Sequence, residues 1–154
     1  MKKVYIIFLL SLFLIGCENK EEELKTEYVV AKNNLKEEKE YTKKEELPLD
    51  ITVEIDRENE EKLTYRVILN NPKENMKEIK AIVIHNYYSE ELFPSIGIFD
   101  EKKSLLTSDI ESKIELSNTI KTTKNLSKLN LELKIWIEYK NDRGETKEIY
   151  YKTT

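Results

Sequence analysis

Cys17 and His85 are each the single residue of their kind in this 154-residue chain, and both could do chemistry. A lone thiol can act as nucleophile, metal ligand or redox sensor, and a lone imidazole as general base or ligand. Together they fall short of the nitrogen and sulfur set that a structural zinc site needs. A serine–histidine–acid arrangement would have to use His85, yet no Gly-x-Ser-x-Gly elbow occurs and the chain holds three glycines. "DRENEE" at 56–61 brings several carboxylate oxygens into one turn, but without the Asp-x-Asp-x-Asp-Gly spacing and distal Glu of a calcium loop. No glycine-rich loop could cradle a phosphate. The residue types therefore point to a protein that is not an enzyme and carries neither metal nor cofactor.

The stretch before Cys17 gives the thiol a different role. Lys2 and Lys3 precede an apolar run from Val4 to Gly16. Thirteen helical residues span about 20 Å, short of a hydrocarbon core of ~30 Å, so the run has the length of a signal-peptide core and not of a membrane span. Its end, Leu14-Ile15-Gly16-Cys17 followed by Glu18-Asn19-Lys20, resembles the lipobox of bacterial lipoproteins. The resemblance implies that residues 1–16 are a cleaved signal peptide. It further implies that Cys17 carries a diacylglycerol on sulfur and an N-acyl chain, and that the chain is held on the outer face of a bacterial cell membrane. Two acyl chains on one residue hold where one does not, at ~0.8 kcal/mol per buried methylene.

Composition agrees with an exported, tethered chain of one domain. Without Lys2 and Lys3, 24 basic side chains meet 30 acidic ones, a net of −6, which argues against nucleic acid and against anionic headgroups as partners. With no second cysteine there is no disulfide, and the fold must rest on packing. Residues 17–46 read as the lipid anchor and a charged tether: 17 of the 29 residues from Glu18 to Glu46 are charged, too many for a core. Leu24, Tyr28, Ala31 and Leu35 recur at helical spacing, but so thin a stripe is marginal as a lone helix. "KEEKEYTKKEE" at 36–46 reads as a solvated, part-helical linker.

From Leu47 to Thr154 the period becomes two. Ile51, Val53 and Ile55 alternate, as do Leu63, Tyr65, Val67 and Leu69 before Asn70-Asn71-Pro72. "EIKAIVIHN" is apolar on both faces, the mark of a central strand covered on each side. "LFPSIGIF" contains Pro94 and Gly97 and reads as an edge or kinked strand. Ile110, Ile114, Leu116 and Ile120 share one phase, and Leu129, Leu131, Leu133, Ile135, Ile137 and Tyr139 another; "KEIYYKT" closes the series. Seven short strands predict an all-β, antiparallel Greek-key sandwich of immunoglobulin or fibronectin size. That likeness is one of strand count and length, without the cysteine pair or a tryptophan on the third strand. Asn141-Asp142-Arg143-Gly144 fits a type I turn closed by glycine, which pairs Tyr139 with Lys147 and Ile137 with Ile149. The same register sets Trp136 opposite Tyr150, and Glu138 opposite Glu148, on the outer face.

Two aromatic groups stand out as candidate protein-binding surface. One is "HNYYSEELFPSIGIF" at 85–99, with Tyr87, Tyr88 and Phe93; the other is the Trp136/Tyr150 pair. The expectation is a membrane-anchored, non-enzymatic binding module for another envelope or surface protein, in assembly, inhibition or exclusion of mobile elements. The alternative is a small-ligand or accessory subunit of an envelope transporter, which would require a concave pocket. A Cys17→Ala chain is expected to stay unprocessed and to take up no radiolabelled fatty acid; normal processing and labelling would exclude lipidation at this residue.

Overall fold

The computed structural model describes residues 2–87, 89, 91–121 and 130–153, with side chains described from residue 19 onward. The period-two segments become β1 (Asp50–Arg57), β2 (Lys62–Asn70), β3 (Met76–His85), β4 (Ser95–Ile96), β5 (Lys103–Leu105), β6 (Lys113–Lys121), β7 (Leu133–Lys140) and β8 (Thr146–Lys152). One sheet has the order β1-β2-β6; the other runs β4-β3-β7-β8, with β5 also paired to β3. Every pairing is antiparallel. Among the described residues the fold is thus an all-β sandwich of eight strands, one more than the sequence pattern suggests. The addition is β5, three residues too short to show a period.

The core follows the alternation. Leu63, Tyr65, Val67 and Leu69 of β2 face Ile79, Ala81 and Val83 of β3 and Ile135, Ile137 and Tyr139 of β7, all buried in one cluster. Each such aliphatic side chain contributes about 1.5–3 kcal/mol when fully withdrawn from water. On β1, Ile51 and Val53 are half-buried and Ile55 is exposed, as befits an edge strand. Ile110 departs from its expected phase: β6 starts at Lys113, and Ile110 lies in the preceding turn, 82% exposed. Leu129 lies outside the described residues.

The β7–β8 turn forms as its sequence requires. Gly144 takes φ +77, Gly144 N–H donates to the Asn141 carbonyl (3.0 Å), and Asn141 Oδ1 accepts from the N–H groups of Arg143 and Glu145. Ile137 pairs with Ile149 and Trp136 with Tyr150. Gly97, at φ +72, has a sharper constraint, because a Cβ there would lie 2.2 Å from the Ile79 carbonyl oxygen. Glycine alone lets the 97–100 bend pass so close to β3.

A helix forms the third layer. α1 (Lys2–Glu37) lays Tyr28, Ala31 and Leu35 on the outer face of β3 and β7, where they bury Ile82, Ile84, Ile98 and Trp136. The charged segment 17–46 is therefore not a solvated tether throughout; its thin stripe is docked. A stripe too weak for a free helix suffices because the sheet supplies the apolar partner. Lys80 of β3 marks the lower border of this contact, pairing with Glu27 of α1 and with Glu138 of β7. It also offsets the like-charge pair of Glu138 and Glu148. At the other end the Lys134 ammonium donates to the Lys36 carbonyl (2.9 Å), a cation on the last turn of the helix. The chain then hugs β8, with Thr42 N–H donating to the Tyr150 carbonyl (2.7 Å).

Leu35 is fully buried, so Leu35→Ala is expected to cost about 2–5 kcal/mol of unfolding free energy. Trp136 is the single tryptophan, so release of α1 by Leu35→Asp should shift its fluorescence to the red. Unchanged emission together with unchanged melting would show that the stripe does not hold the helix.

Candidate functional site

β3 ends at His85, and the chain there leaves the sheet toward Phe93. The imidazole is 8% exposed and stands among aromatic rings: Phe93 at 4.9 Å and Tyr65 at 5.8 Å, both edge-on, and Tyr87 at 6.4 Å between centroids. His85 Nδ1 accepts from Tyr87 N–H (3.2 Å), so the neutral ring carries its proton on Nε2. Burial lowers its pKa below the usual histidine range.

Next to His85 opens a cleft of about 480 Å³. One wall is the loop, with Tyr87 and Phe93; the other is α1, with Tyr28, Lys32 and Lys36 one turn apart. Tyr28 ties the walls together: its hydroxyl accepts from Phe93 N–H (2.8 Å) and donates to the Phe93 carbonyl (3.4 Å). Burial raises the pKa of this phenol. Lys32 Nζ lies 5.7 Å from the centre of the Tyr28 ring, a cation held against an aromatic face. Tyr87 donates its hydroxyl to the Asn130 carbonyl (2.8 Å), and Asn86 Nδ2 donates to the same oxygen (3.0 Å). Ser89 Oγ donates to the Glu91 carbonyl and accepts from Glu91 N–H. The hydroxyls of Tyr28, Tyr87 and Ser89 and the imidazole Nδ1 are thus engaged by backbone, and the two lysines place cations at the rim.

The residues singled out from sequence part company here. Tyr87 and Phe93 are half-buried and do line the cleft. Tyr88 lies outside the described residues. Trp136 and Tyr150 are paired on the outer face as expected, but Trp136 is 5% exposed beneath α1, so it is core and not free surface. Tyr150 is half-buried at the edge of the same cluster. Cys17 falls within α1, its side chain among those not described. His85 is buried, because α1 and the loop close over the strand end. The α1 wall went unnoticed in the sequence. Its signal was the i, i+4, i+8 spacing of Tyr28, Lys32 and Lys36, beside a stripe that the outer face of β3 needed as cover.

Among the described residues no group of three or more histidine, cysteine or acidic side chains could hold a metal ion, and no helix is long and apolar enough to cross a membrane. Comparison with protein-family models, with curated proteins and with solved structures finds no match.

The histidine gives the site a pH signature. Its folded pKa lies below the unfolded value near 6.5, so the unfolded chain binds the proton first. The stability this group contributes is complete above pH ~6.5 and is lost as pH falls through the folded pKa. Denaturant melts from pH 7 to 5.5 are expected to show declining stability in the parent and a flatter profile in His85→Gln. Parallel profiles would place the titration elsewhere.

Proposed function

We propose that this chain is an exported bacterial lipoprotein, anchored by acylated Cys17, whose sandwich is a non-enzymatic binding module for another protein of the envelope or cell surface. The single observation that carries the binding role is the cleft between the 85–93 loop and α1. It joins aromatic side chains with polar edges to two rim lysines, a combination suited to protein contact. The backbone engagement of Tyr28, Tyr87, Ser89 and His85 supports recognition over catalysis, since none of these groups is left as a free nucleophile or base. The anchor rests on the Leu14-Ile15-Gly16-Cys17 pattern and the apolar run before it. An outer-face location follows from the same pattern.

A second reading, a small-ligand or transporter accessory subunit, draws on the size of the cleft, which falls within the ~300–1,000 Å³ of ordinary ligand sites.

In-cell photocrosslinking from residue 93 should capture one envelope protein. Capture should fall strongly in Tyr87→Ala and Lys36→Glu chains that keep the parent melting temperature, and persist in Arg143→Ala at the far end of the sandwich. Equal capture in all of them would remove the cleft from the contact surface.

A further inference from the structure

α1 fixes a direction as well as a cover. Glu27 pairs with Lys80, and nine residues later the Lys36 carbonyl meets Lys134, which is in register with Ile84. Nine helical residues rise about 13.5 Å and the four strand residues from Lys80 to Ile84 about 13 Å, so helix and β3 run nearly parallel. From Glu27 back to Asn19 the helix descends about 12 Å, while β3, which bulges between Lys77 and Lys80, descends about 10 Å from Lys80 to its start at Met76. Asn19, two residues after Cys17, therefore lies level with the end of the sandwich where β3 and β6 begin and β7 ends. Loops 71–75, 106–112 and 141–145 project at that end.

That end carries exposed apolar side chains. Ile110 is 82% exposed and Leu106 is 36% exposed. The loop that bears them is ordered: Asp109 N–H donates to the Leu106 carbonyl (3.0 Å), Ser112 N–H to the Asp109 carbonyl (3.2 Å), and Thr107 N–H to Asn75 Oδ1 (2.9 Å). These bonds fix the backbone that presents the two side chains. Asp109 and Glu111 flank Ile110, so attraction to anionic headgroups is not the force involved.

We infer that the 106–112 loop is a second membrane contact, its Leu106 and Ile110 resting in the interface of the bilayer that holds Cys17. The inference depends on the lipid-anchor reading. One acylated residue is a swivel; a second, separate apolar contact sets the domain's orientation. The His85 cleft, at the opposite end of β3, then faces away from the membrane, toward whatever the module meets.

The test uses the full-length lipoprotein, processed in a bacterial host and reconstituted in phosphatidylcholine vesicles containing a lipid with a nitroxide near the headgroup. With the Cys17 sulfur acylated, Ile110→Cys and Glu60→Cys each offer one thiol for a fluorophore. Glu60 is exposed in the β1–β2 turn, about 30 Å up the sandwich from the 106–112 loop across the nine residues of β2. The residue-110 label is expected to lose fluorescence to the nitroxide while the residue-60 label keeps it. Chains that float with the vesicles yet show no loss at 110, or equal loss at both positions, overturn the inference and leave the anchor standing. Chains that fail to float remove the anchor, and the inference with it.

Discussion

Ile82, Ile84 and Trp136 project from the side of the second sheet that faces away from the sandwich core, and water cannot be left on that surface without large cost. The stripe of Tyr28, Ala31 and Leu35 covers it. Neither partner is stable apart: the stripe is too thin for an isolated helix, and the strand pair would expose a broad apolar face. Their union gives the molecule three layers in place of two, turns the only tryptophan into core, and supplies one wall of the cleft. Lys80, between Glu27 and Glu138, sets the register of helix on sheet, because burying its ammonium is tolerable only with both carboxylates in place.

The sandwich beneath that cover was legible residue by residue. Period-two alternation in β2, β6 and β7 selected the inner face, and Asn141-Asp142-Arg143-Gly144 fixed a hairpin register that a one-residue slip would have inverted. The run "AIVI" in β3 even announced that both sides of that strand are covered. What stayed hidden was the identity of the cover. A charged segment with one apolar residue per turn reads as solvated when taken alone, and the two observations become one only in three dimensions. Ile110 misled for the opposite reason: it keeps the phase of β6, but the strand begins three residues later.

The cleft shows the same division. Its loop wall lay in an aromatic-rich segment that the sequence marked, while its helical wall came from Tyr28, Lys32 and Lys36, far earlier in the chain. The Tyr28 hydroxyl joins them through the backbone of Phe93, 65 residues distant. Since α1 also runs back toward Cys17, the helix that completes the proposed binding surface is the same element that connects it to the proposed anchor.

By itself the sequence determined seven of the eight strands, the β7–β8 register and the lipobox-like pattern at Cys17, because each depends on local spacing: side chains alternate every two residues, turns need particular φ values, and processing motifs are read as linear strings. Only the tertiary structure decided that Trp136 is buried, that His85 is enclosed, and that Lys32 and Lys36 stand beside Tyr87 and Phe93. Those outcomes depend on which apolar faces meet, and helix and sheet surfaces separated by scores of residues satisfy one another by shape and burial, for which a linear pattern carries no address.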